Sequence, residues 1–154
     1  MLMVDPVAVL ARIHRALKTG GRLSVLVFGP ADANPLQWLA TRISREAAGL
    51  PPLRPREPGM FALGEPGWLE CAFQTAGFVD VSAQAVGTSR RFGSAADAVR
   101  SLRDILPSVH AILHAVDESA RDRAWAEIEA ALQPLEGPDG LVVPGELLLG
   151  VGTK

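Results

Sequence analysis

The stretch RALKTGGRLSVLVFG, Arg15 to Gly29, carries more of the fold than any other part of the chain. It joins the end of an amphipathic run to a Gly-Gly pair and then to a segment dense in β-branched and large apolar residues. Upstream of it, Asp5 followed by Pro6 signals a helix start: the carboxylate can accept from first-turn amides, and proline's fixed φ suits the first helical position. Leu10, Ile13 and Leu17 recur at helical spacing, while Arg12, His14, Arg15 and Lys18 fall elsewhere. Gly20 or Gly21 then supplies the positive φ that closes a helix. The second half of RLSVLVF loses the alternation of a half-wet strand, which predicts burial on both faces, as in a helix-flanked and largely parallel sheet. Helix, glycine turn and strand make half of a βαβ unit, so the expectation is an α/β fold with a preceding strand upstream of residue 1.

Downstream, Asn34-Pro35 opens a second helix with Leu36, Leu39, Ile43 and Ala47 in register, stopped by Gly49. Pro51, Pro52, Pro55 and Pro58 then rule out helix or central strand and predict an extended connection. Pro66 begins a third helix with Leu69, Phe73 and Ala76 inward, and Gly77 ends it. The strand FVDVSAQAV follows, alternating Val79, Val81, Ala83 and Ala85 with Asp80, Ser82 and Gln84. Segments 95–106, 108–116 and 119–133 read as helices, with Pro107 between the first two. EGPDG is a turn, and LVVPGELLLGVGT a closing strand. There is no internal repeat or low-complexity tract.

The length of 154 residues suits one domain, residues 1–154, with a real core. A net charge of −2 offers no basic surface to a nucleic acid, and no apolar run approaches the roughly 20 residues that cross a bilayer. The N-terminus lacks the pattern of a signal peptide, and the single Cys71 cannot form an internal disulfide, so a reducing, cytoplasmic setting is expected.

No local motif announces chemistry. His110 and His114 stand four apart on an expected helix, as zinc-binding pairs do, yet there is no intervening glutamate in the metalloprotease position, and only Asp117 or Glu118 is at hand as a third ligand. No G-x-S-x-G elbow occurs, and Cys71 is read as a small residue within an apolar helical stripe. Arg90-Arg91 stands at the end of the alternating strand, where it could meet an anion or simply be solvated. Trp38, Trp68, Phe61 and Phe92 could line a pocket, although core is the ordinary use of aromatic rings. GVGTK has no following helix to cradle a phosphate.

In the order of its parts, the chain resembles the C-terminal half of class I S-adenosylmethionine-dependent methyltransferases, particularly the small-molecule enzymes related to those of ubiquinone and menaquinone biosynthesis. DPVAVLARIHRALKTGGRLSV looks like the family's helix and Gly-Gly turn before its fifth strand, and FGPADANPLQW like the segment after that strand. GEPGWLECAFQTAGFVDVSAQAV is similar to the helix and strand that come next, and GPDGLVVPGELLLGVGTK to the final antiparallel strand. The likeness covers nearly the whole chain. It implies a Rossmann-like sheet in the order 3-2-1-4-5-7-6, of which this chain would hold strands five, seven and six. Helices would be inserted between the last two strands, at 90–135, as a substrate cap. MLMV looks like the trailing edge of the fourth-strand segment.

The resemblance implies methyl transfer to a small-molecule acceptor as the family activity and S-adenosylmethionine as its cofactor. The glycine-rich loop and ribose-binding acid would lie upstream, so the chain alone is expected to bind the cofactor weakly or not at all and to assign no catalytic residue. What it would keep is the acceptor side, with Met3, Phe28, Asn34, Trp38, Phe61 and His110 as candidate wall residues. The alternative is a non-catalytic module that binds a small ligand or another protein. A fifth strand without its fourth neighbour also leaves an apolar edge, which implies a homo-oligomer or a partner chain. No nucleic acid or membrane partner is expected.

Overall fold

The computed structural model describes residues 3–154; Met1 and Leu2, the first half of MLMV, lie outside the described residues. The elements in chain order are α1 (Pro6–Ala16), β1 (Arg22–Phe28), α2 (Pro35–Ala47), α3 (Trp68–Thr75), β2 (Val79–Phe92), α4 (Ala95–Ile105), α5 (Pro107–Leu113), α6 (Glu118–Leu132), a 3-10 turn (Gln133–Leu135), β3 (Glu136–Gly137) and β4 (Gly140–Thr153). The strands form an open sheet in the order β1-β4-β2, with β3 paired to β4. The chain is α/β. It divides into two compact units, one of Met1–Ala33, Arg54–Thr88 and Glu146–Lys154, the other of Asn34–Leu53 and Ser89–Gly145.

In the first unit α1 starts where the sequence predicts: Asp5 Oδ1 accepts from the Ala8 amide at 2.9 Å, satisfying an orphan donor of the first turn. The helix ends at Ala16, and Gly20 takes the positive φ of 75° that returns the chain toward β1. Lys154 closes this end. Its backbone pairs with Gly20 and Gly21, and its Nζ donates to the carbonyls of Leu17 at 2.7 Å and Arg15 at 3.0 Å. A cation on the unpaired carbonyls of a helix C-terminus is favoured by the helix dipole.

β1 runs antiparallel to β4, from Arg22 opposite Thr153 to Phe28 opposite Leu147. The expected burial of this strand on both faces is corrected here. Leu23, Val25 and Val27 face the core, but Leu26 is 56% exposed, because α1 and α3 both pack on the same face. Opposite Val25 and Leu23, β4 presents Gly150 and Gly152. A Cβ on Gly152 would fall 2.7 Å from Phe73 Cδ1 and 3.0 Å from Phe78 Cβ, so α3 rests directly on the strand backbone. Phe73 and Phe78 sit 5.1 Å apart, and His14 of α1 meets the Phe78 ring edge-on at 4.9 Å.

Two more expectations change. α3 begins at Trp68 rather than Pro66, and Cys71 is exposed rather than part of the apolar stripe, which consists of Leu69, Ala72, Phe73 and Ala76. β2 runs on to Phe92, past the predicted end at Val86. Val79 at its start is 57% exposed, and Asp80 adopts a left-handed φ of 48° that bends the strand before Val81 and Ala83 reach the core.

In the second unit α2 packs against α5 and α6, and α4 packs against both of those helices. The buried side of α2 is Leu36, Gln37, Ala40, Ile43 and Ser44; Leu39 is half-buried and Ala47 exposed. The stripe is thus rotated from the predicted one, since a helix held between two neighbours turns toward both, and small or polar residues fit where they touch. Ser94 and Asp117 cap α4 and α6, accepting from Asp97 N at 3.1 Å and Ala120 N at 2.8 Å. Pro107 is not merely a break; it is the first residue of α5. EGPDG closes a hairpin in which Glu136 pairs with Leu141.

Arg121 of α6 holds the end of α5, its Nε donating to Leu113 O at 3.1 Å and its Nη2 to Val116 O at 3.4 Å. Arg121→Met keeps the aliphatic stem but orphans these carbonyls. It is expected to cost about 1.5 kcal/mol of stability, measured by urea unfolding; an unchanged midpoint would mean that water replaces the guanidinium without loss.

Candidate functional site

The C-terminal end of β1 gathers the best-formed set of candidate residues. The half-buried Phe28 ring meets buried Phe61 at 5.9 Å between centroids, with the planes at 65°. The pair exists because a tight turn brings Phe61 across the strand end: Ala62 N donates to Gly59 O, and Gly64 N to Phe61 O. Gly64 lies against the backbone of Gly29, so a Cβ there would stand 2.7 Å from the Gly29 carbonyl carbon and 3.1 Å from Phe28 O. The ladder continues one step past β1, with Gly29 N donating to Glu146 O at 2.9 Å. The Glu146 side chain folds over Gly29, whose own Cβ would lie 2.8 Å from Oε1. An aromatic pair and a carboxylate therefore share this strand end.

Met3 lies elsewhere in the same unit, 48% exposed on the rim of an apolar groove of about 180 Å³. The groove runs between α1 and the outer edge of β1, and Pro6, Val9, Ile13, Leu26 and Leu63 line it with Met3. β1 stands at the end of the strand order, so among the described residues no strand pairs with that edge.

The other three candidates fall in the second unit. Asn34, only 2% exposed, immediately precedes α2. Trp38 lines its own cleft of about 180 Å³ with Leu50, Pro52 and Leu53, beside the Arg42 guanidinium that holds both Glu46 carboxylate oxygens at 2.9 Å. His110 stacks at 5.7 Å from Trp125, beneath which Arg103 also lies at 4.9 Å, and its Nε2 contacts the Arg103 carbonyl. His114 is 6.4 Å away between ring centroids, and among the described residues no group of three or more His, Cys, Asp or Glu could hold a metal ion.

The chain matches no protein-family model and no curated protein. Its functional reading therefore rests on its own geometry.

Among the candidates of the first unit, the structure joins Phe28 to Phe61. Phe61 serves Phe28, Trp38 serves its cleft, and Trp68 is covered by the Arg56 guanidinium at 4.0 Å, itself held by Glu65 at 2.8 Å. Arg90 and Arg91 are exposed on β2. Glu146 is the residue that sequence reading missed. Its only signal was a lone acid just ahead of the apolar run LLLGV, and the structure sets it midway along the sheet's middle strand, opposite Gly29 at the end of β1. No helix of the described chain is long and apolar enough to cross a membrane.

Proposed function

We propose that the chain is the acceptor-side half of an S-adenosylmethionine-dependent methyltransferase of the small-molecule type, inactive unless joined by a cofactor-binding half. The observation that carries this reading is the strand order β1-β4-β2, in which the last strand runs antiparallel to the first and lies in the middle. That is the arrangement implied by the family's fifth, seventh and sixth strands. The reaction class is transfer of a methyl group to an oxygen, nitrogen or carbon of a small acceptor, where positioning of the reactants supplies much of the rate. Phe28 and Phe61 offer a flat apolar acceptor a ring to lie against, and Glu146 a polar group beside it.

The residues present do not fit the cofactor itself. The sole Gly-Gly pair precedes β1 instead of following a strand, and its amides are committed, Gly20 N to Lys154 O and Gly21 N to Lys18 O. No phosphate-type or ribose-type cradle remains there. Titration calorimetry of the chain with S-adenosylmethionine is therefore expected to give a Kd weaker than about 100 µM; low-micromolar binding would overturn the half-enzyme reading.

A second reading, a non-catalytic module that binds a small ligand or a partner, is favoured by the open groove at β1. Sequencing the transcript 5′ of the Met1 codon separates the two. The methyltransferase reading expects an in-frame segment encoding a glycine-rich strand, turn and helix; stop codons in all three frames close to Met1 would favour the module.

A further inference from the structure

We propose that the outer edge of β1, with the groove beside it, binds an extended strand of another polypeptide, apolar along its middle and acidic at the end that meets the Gly20-Gly21 turn. This deepens the second reading, because under the half-enzyme reading a strand of the cofactor-binding half would take the same edge. Three observations carry it. The first is the edge itself. A strand at the margin of a sheet presents alternating N–H and C=O groups at a two-residue repeat, which only another extended backbone matches along its length.

The second is the contrast between the sheet's two margins. β2, at the opposite margin, carries Asp80, Ser82, Gln84, Thr88, Ser89, Arg90 and Arg91, together with the left-handed bend at Asp80. Charges and bends of this kind keep a free edge from pairing. β1 has only Arg22 and Ser24 as polar residues, no positive-φ residue, and a groove lined entirely by apolar side chains and Pro6. One margin is guarded and the other is left ready.

The third is charge. From Pro6 to Ala31 the chain contains Arg12, Arg15, Lys18 and Arg22 and no acidic residue. All four are exposed, and Arg15, Lys18 and Arg22 gather at the turn, where Lys154 adds a further cation. An acidic flank on the incoming strand answers this end. A second copy of the chain is disfavoured as the occupant. Two-fold antiparallel pairing of β1 with itself would place both α1 helices on one face of the joined sheet, each over the same seam.

The test uses the whole chain and fluorescein-labelled peptides of about eight residues, alternating valine and threonine with two aspartates at one end or the other. Fluorescence anisotropy is expected to show that one aspartate peptide binds about tenfold tighter than its lysine counterpart. N-methylation of alternate amides along one edge of that peptide is expected to abolish binding. Leu26→Lys, at a position 56% exposed, is expected to weaken binding by about tenfold, as edge lysines do on natural sheets, with the urea midpoint of the chain unchanged. Arg22→Glu is expected to remove the preference for aspartate over lysine. Failure of every peptide to bind overturns the proposal. Equal binding of the N-methylated peptide also overturns it, because the groove then takes apolar matter without strand pairing. Sedimentation showing a dimer of the chain that Leu26→Lys dissociates overturns the choice of partner in favour of a second copy.

Discussion

Gly152→Val is expected to lower the unfolding free energy by about 3 kcal/mol, the upper end of what overpacking a core costs. The reason is the identity of the atoms met. A Cβ at Gly152 points at the edge of the Phe73 ring, 2.7 Å from Cδ1, and at Phe78 Cβ, 3.0 Å away. Phe73 is fully buried, and neither atom is the free end of a flexible chain. At Gly150 the nearest atom is instead Leu69 Cδ2 at 2.9 Å, the end of an aliphatic side chain, with Phe73 Cε2 at 3.2 Å. Relief should therefore come from shrinking the ring: Phe73→Leu in the Gly152→Val background is expected to cost less than it does alone. Denaturant unfolding of the four proteins in the cycle measures this. Strict additivity would mean that the strand and α3 separate to admit the valine, and that the glycine is not what sets their spacing.

Gly64→Ala is expected to cost about 2 kcal/mol and, more tellingly, to part the Phe28 and Phe61 rings. Here the obstruction is backbone on backbone, since Gly64 lies against the carbonyls of Phe28 and Gly29. Those groups are fixed by the ladder to β4, so the turn at 59–64 must lift and take Phe61 with it. Loss of the nuclear Overhauser contact between the two rings, with the Phe73–Phe78 contact retained, is the result expected. A variant of unchanged stability that keeps the Phe28–Phe61 contact would show that the strand end is not built on this close approach. If the aromatic pair lines an acceptor site, the same variant disables that site without touching a residue that faces it.

These expectations mark what the sequence could and could not convey. Local rules held where they act locally. Asp5-Pro6 opens α1, Asn34-Pro35 precedes α2, and the breaks at Pro107 and EGPDG fall where turn chemistry puts them, whereas α1 is ended by an extended Leu17, and Gly20 turns the chain only three residues later. The misreadings share a cause, which is that burial depends on neighbours far away in the chain. Leu26 looks like core in LSVLVF and is exposed because both helices of its unit chose the other face. Cys71 looks like part of a stripe and faces outward because α3 aims Leu69 and Phe73 at the glycines of β4.

The candidate site was legible only in part for the same reason. Phe28 and Phe61 are each plausible alone, but their meeting depends on a contact between Gly64 and Gly29 that no periodicity encodes. Glu146 reaches the site only because β4 returns along the whole of β1.

That return also fixes an order of events in synthesis. β4 lies between β1 and β2, and Arg22 waits for Thr153 before its pairing is complete. Closing so long a loop carries an entropic cost that early contacts cannot offset, and folds dominated by such distant pairings form slowly. On the ribosome, β1 and β2 must remain apart until residues 146–153 have emerged, and the helices α1 and α3 have no continuous floor to rest on. A chaperone that shields apolar strands would have its longest engagement in that interval, because the middle of this sheet is supplied after both of its sides.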